Sequence, residues 1–224
     1  MEFLIQFKLN DHLYLRDPEL SDIGRSIVRE SINLIYEIGF EKFTFRKLAL
    51  HIKTTETTIY RYFSSKHKLL IYILSWYWNY LELVCKFQLQ RESDSKNKLK
   101  LILEIVTYNY PYGLEIKGYN MQRLHEIVIS ESSKSYLVKD VDDINEELVF
   151  SPLKSLCSFI SEVILEINPK FDYPKSLAST LIETAHQQQF FSAHLPSLTD
   201  NKNKELHKEY VLAYLNSLAF SVIK

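Results

Sequence analysis

Apolar residues recur at helical spacing along almost the whole chain. Ile23, Ile27, Leu34, Ile35 and Ile38 share one helical face, and Gly39 stands where that helix would stop. Asp17 and Pro18 are placed to open it. Thr44 can cap a short helix over residues 45–51, with Phe45, Leu48, Ala49 and Ile52 apolar. Thr55 can cap a second, ending near Phe63. Ser64 or Ser65 opens a long third, from Lys66 to about Arg91. Further helices are predicted over 96–110 (closed by Pro111), 121–130, from near Asp143 with a break or restart at Pro152, 175–194 (closed by Pro196), and 200–222. Only residues 3–15 alternate, around Asn10-Asp11, which predicts a short hairpin or an extended arm. The pattern predicts an all-α fold: an N-terminal arm over 1–20, a three-helix domain over 21–70, and a helical domain over 71–224. The long helix from Lys66 would cross the boundary between the last two.

Composition agrees. The chain has 224 residues but only 4 glycines, too few for the turns of a doubly wound sheet or a barrel. Cys85 and Cys157 form no CxxC pair, which argues against a zinc or disulfide framework and fits a reducing cytoplasm. No apolar run approaches the ~20 residues of a membrane span, and the first residues lack the basic leader of a signal peptide. A cytoplasmic protein without membrane contact is expected. The net charge of −1 conceals an asymmetry. Residues 24–70 carry 9 Lys/Arg against 4 Asp/Glu, while the flanking segments are acidic. Such a basic island is the footprint of a polyanion partner.

Enzymatic chemistry finds no support. GxSxG, HExxH and phosphate-cradling glycine loops are missing. No catalytic residue and no cofactor is expected. His186 and His194 lie two helical turns apart without a third ligand, so no metal site is expected either. Asp142, Asp143, Glu146 and Glu147 read as a solvated helix start.

The chemistry lies in Thr54–Leu70, "TTETTIYRYFSSKHKLL". Threonine is a mediocre helix former, so four in five positions call for a reason. Two short helices separated by about four residues describe a helix-turn-helix. Ile59 and Phe63 would face inward onto Leu48 and Ile52. Thr55, Glu56, Thr57, Thr58, Arg61 and Tyr62 would face outward. Short hydroxyls and a guanidinium suit phosphate oxygens and base edges in a major groove.

Here the sequence resembles the TetR family of bacterial transcriptional regulators, over about residues 23–72. The matching features are "SIVRESINLIYEIGFEKF", then "TFRKLALHI" with its Leu48-Ala49 pair, then "TTIYRYF" and "KHKLL", in order and at the family's spacing. The resemblance implies that Thr44 and Lys66 hold phosphates, and that Thr55, Thr58, Tyr60 and Tyr62 meet the DNA backbone or base edges. Arg46 and Lys47 would stand beside Thr44. Tyr60 as a packing aromatic and Lys66 as plain surface are the alternatives. Two positions depart from the family. Lys53 replaces a turn glycine, and Thr57 replaces a glycine common in the recognition helix. Glu56 is acidic where relatives are often basic, with cytosine N4 or the helix dipole as its partner.

The resemblance also implies a C-terminal part that binds a small effector and forms a homodimer through the last two helices. Leu177, Leu181, Ala185, Leu206, Tyr210 and Ala213 would form the seam. Trp76, Tyr80, Tyr108, Tyr112, His125 and His186 are the pocket candidates for an apolar or aromatic ligand; plain core is the other reading of the aromatics. The functional expectation is a dimeric repressor on double-stranded DNA, released by its effector. A helical adaptor that docks the same motif on a protein is the alternative.

Overall fold

In the computed structural model, residues 6–109 and 118–223 are described. Among them are ten α-helices and no strand: α1 (Asp22–Ile38), α2 (Phe45–His51), α3 (Glu56–Tyr60), α4 (Lys66–Leu89), α5 (Ser95–Val106), α6 (Met121–Glu131), α7 (Val141–Glu146), α8 (Ser151–Ile167), α9 (Pro174–His194) and α10 (His207–Val222). The all-α expectation holds. No helix among the described residues is long and apolar enough to cross a membrane. The chain divides into two compact units, Met1–Trp78 with Leu114–Pro152, and Asn79–Gly113 with Leu153–Lys224. The division falls inside α4, not at residue 70.

In the first unit the expected hairpin is replaced by turns. The Asn10 side chain accepts the His12 N–H and opens a 3-10 turn over Asp11–Leu13. Asp17 does the same for a turn over Pro18–Leu20, so Pro18 does not begin α1. That task falls to Ser21, whose Oγ accepts the Gly24 N–H at 3.1 Å. The described residues of the arm are held to the unit at several points. Leu9 and Leu13 are buried. The Phe7 ring meets Trp76 edge-on, and Tyr14 meets Tyr72. The Leu15 N–H donates to the Tyr62 carbonyl at 2.8 Å. Gly24 is required here: a Cβ would sit 2.3 Å from the Pro18 carbonyl oxygen.

α1 buries Ile27, Val28, Ile32 and Ile35 and packs against α2 and α6. Gly39, at φ 77°, ends it and donates to the Ile35 carbonyl. α6 returns its own polar groups to this core: His125 is buried, with Nδ1 2.6 Å from the Tyr77 hydroxyl.

In the second unit Asp94 caps α5, and α9 and α10 pack on one another and on α5. Glu166 of α8 accepts from Ser95 and Lys98 of α5, which holds its carboxyl below the usual range. The expected break near Pro152 separates α7 from α8, with Pro152 in the first turn of α8, where its missing N–H costs nothing. The last helix begins at His207, later than the predicted residue 200; a 3-10 turn over Lys204–Leu206, capped by Asn203, precedes it.

Candidate nucleic-acid interface

α2 and α3 pack against each other as a helix-turn-helix. Leu48, Ile59 and Phe63 are fully buried, which fixes the inner side. The turn between the helices places Lys53 at φ 55°. This is the left-handed conformation that glycine adopts without strain, and a side chain there costs on the order of 1 kcal/mol.

The outer side carries Thr55, Glu56, Thr57 and Arg61, all exposed, with Thr58 half-buried. Thr55 Oγ1 accepts the Thr58 N–H at 3.2 Å and lies 3.0 Å from Thr58 Oγ1. Thr44 caps α2 likewise, accepting the Lys47 N–H at 3.2 Å. Each cap uses an oxygen lone pair and leaves a hydroxyl proton able to donate outward. Arg46, Lys53 and Arg61 are exposed and enter no ion pair among the described residues. Tyr60 is partly a packing aromatic. Its ring packs edge-on against Phe45, and 49% of the residue remains exposed.

Two sequence-based placements change. Tyr62, expected outward, is 2% exposed. α3 ends at Tyr60, and the Tyr62 and Phe63 N–H groups both turn back to the Ile59 carbonyl, which rotates Tyr62 inward. Its hydroxyl lies 2.8 Å from Ser21 Oγ and the Arg16 guanidinium covers its ring. Lys66 is half-buried and donates to the backbone carbonyls of Phe40, Glu41 and Phe43.

Residues 27–73 match the model of the bacterial regulatory proteins of the TetR family. This segment belongs to the TetR family. The helix-turn-helix just described falls wholly within the matched TetR residues. Similar solved structures extend the likeness of fold well beyond that segment. FadR of Bacillus halodurans, a fatty acid degradation regulator, has a TM-score of 0.57 at 16% identity, covering 85% of this chain and 93% of its own. AibR in complex with isovaleryl coenzyme A and operator DNA has a TM-score of 0.55 at 14% identity, covering 87% and 96%. Apo AibR gives 0.53 at 13%, with the same coverage. No curated protein matches the sequence. Family and fold relatives are regulators rather than enzymes.

The pocket candidates are shared between the two units. Trp76 and His125 belong to the first unit, and Tyr80, Tyr108 and His186 to the second. Tyr112 lies outside the described residues. Trp76 is 2% exposed, between the rings of Phe7 and Tyr119, as an ordinary core aromatic would be. Tyr80 is also buried; the Tyr108 ring lies 4.8 Å from Lys208 Nζ. His186 is buried, and desolvation pushes its pKa down to about 4, so it is neutral at pH 7.

The seam candidates also divide. Leu177, Leu181 and Ala185 are buried within the chain itself and present nothing to a second copy. Leu206 and Ala213 are exposed, and Tyr210 is half-buried. Helical spacing picks out the apolar side of α9, and that side faces the chain's own core.

Proposed function

We propose that this TetR-family DNA-binding regulator is a homodimeric repressor that leaves a near-palindromic operator when a small apolar or aromatic effector binds its C-terminal helices. The observation that carries the DNA-binding part is the two-sided α2–α3 pair. Leu48, Ile59 and Phe63 are sealed, while Thr44, Thr55 and Thr57, with the half-exposed Thr58 and Tyr60, face solvent among Arg46, Lys53 and Arg61. Thr57 supplies a methyl and a hydroxyl to a major groove; Arg61 supplies a bidentate donor to guanine or phosphate. Glu56 accepts from cytosine N4.

In the dimer, α10 offers Tyr210, Ala213 and the 41%-exposed Tyr214, beside the outer residues Thr180 and Gln187 of α9. Two copies would set their α3 helices about one DNA turn (~34 Å) apart. The effector favours the arrangement that misplaces them, and by linkage lowers operator affinity by its own preference ratio. Because AibR is known with isovaleryl coenzyme A, whose acyl group is apolar and whose coenzyme A part is charged, acyl-coenzyme A esters are to be tested beside uncharged apolar and aromatic compounds.

The test is a fluorescence-anisotropy titration against DNA from upstream of the protein's own gene. Affinity is expected to fall steeply and log-linearly with salt, with two chains per site. Equal affinity for unrelated DNA of the same length, or a salt-independent signal, would refute the reading.

A further inference from the structure

Lys66 stands at the first position of α4, where the family resemblance implies a phosphate contact. Its surroundings describe another task. Nζ lies 3.0 Å from the Phe40 carbonyl oxygen and 3.3 Å from those of Glu41 and Phe43. An ammonium has three protons, and three converging acceptors use all of them. The Phe40 ring lies 4.6 Å from the same nitrogen, a cation–π contact. The carbonyls belong to the turn that follows the C-terminal end of α1, where backbone dipoles favour a cation.

The same turn is held from other directions. Lys47 Nζ donates to the Lys42 carbonyl at 2.8 Å. The Phe40 N–H points to Glu131 Oε1 at 3.4 Å, and Lys134 pairs with both Glu131 and Glu41. Phe43, whose carbonyl Lys66 grips, directly precedes Thr44, the cap of α2. The position of that carbonyl therefore sets where Thr44 and the start of α2 sit.

We propose that Lys66 is a positioning residue that locks the α1–α2 turn, and through it Thr44 and α2, onto the start of α4, with no ammonium proton left for DNA. This rests on the DNA-binding reading only for its consequence in operator affinity; the clamp itself is intramolecular.

The two roles separate by salt dependence. A phosphate ligand releases counterions, so its loss makes the slope of log affinity against log salt shallower by about one per copy. A clamp affects affinity without changing the number of phosphates met. Lys66→Met is expected to weaken operator binding at least about tenfold with the wild-type slope, and to speed amide hydrogen exchange at residues 40–44. Lys66→Arg provides a second, gentler arm. A guanidinium serves a phosphate as well as an ammonium does, but its planar fork does not match three converging carbonyls. The clamp predicts that Lys66→Arg stays weak with an unchanged slope and faster exchange at the turn. A shallower slope for Lys66→Met, or full wild-type affinity and unchanged exchange for Lys66→Arg, would overturn the proposal. If the wild type binds no DNA at all, the DNA reading fails, and the exchange measurement still decides the clamp.

Discussion

α3 and α10 each bury one side and expose another, but their exposed sides are built differently. α3 and its flanking caps show solvent Thr55, Glu56, Thr57, the Tyr60 ring and Arg61, and seal Ile59 completely. α10 buries Val211, Leu215 and Ala219 yet leaves Tyr214 and Val222 more than 40% exposed. On α3 the exposed residues are polar apart from the Tyr60 ring. On α10 apolar residues occur on both sides. An exposed polar helix face suits a polar ligand, while an exposed apolar one suits burial against another apolar surface.

Truncations in the two regions make the strongest test of this difference. Ile59→Ala and Leu181→Ala both empty fully buried sites and should each lower the stability of the chain by roughly 2–5 kcal/mol in denaturant titrations. Ala213→Glu should instead leave the chain folded and shift sedimentation from two copies to one. A Leu181→Ala protein that keeps its stability and merely dissociates would return the seam to the inner side of α9.

The next effect is on pH. The folded-state pKa of His186 lies near 4, below its ordinary 6.5. The unfolded chain therefore takes up the proton first. Stability from this group is fully present above pH 6.5 and declines as the pH falls towards 4, by at most roughly 3 kcal/mol. His186→Leu should flatten the stability–pH curve in that window, with no matching change in the α2–α3 region.

Gly24→Ala follows in size. The methyl would collide with the Pro18 backbone, so a loss of about 1–3 kcal/mol and a loosened arm, seen as faster exchange of the Leu15 amide, are expected. The smallest effect has two signs. Lys53→Gly relieves the left-handed strain and should raise stability by up to about 1 kcal/mol, while operator binding weakens with the loss of a cation. A Lys53→Gly protein that binds DNA more tightly would remove Lys53 from the interface.

Much of the first unit was legible in residue order because single residues mark its boundaries. Thr44 and Thr55 cap α2 and α3 as their positions imply, Gly39 ends α1, and Lys53 takes the conformation of the glycine it replaces. What was not legible depends on contacts distant in sequence. Tyr62 faces inward because α3 tightens after Tyr60 and the arm supplies Ser21 and Arg16 to receive it. The ammonium of Lys66 finds its carbonyls 23–26 residues earlier. Gly24 carries no signal in the sequence as one glycine in a helix, and is explained by the crossing of Pro18. What the apolar side of α9 packs against could not be read from spacing, since Leu177 and Leu181 suit an internal core and an intermolecular seam equally well.

The central claim is that the hydroxyl-bearing side of α3 meets DNA, and its most direct test is the operator affinity of a Thr57→Ala/Tyr60→Phe protein. Thr57 is exposed, and phenylalanine keeps the packing of Tyr60 on Phe45, so the melting temperature should hold. Two hydrogen bonds lost in each of two copies should weaken binding by at least about tenfold. A double variant that melts like the wild type and still binds the operator with wild-type affinity would contradict the account.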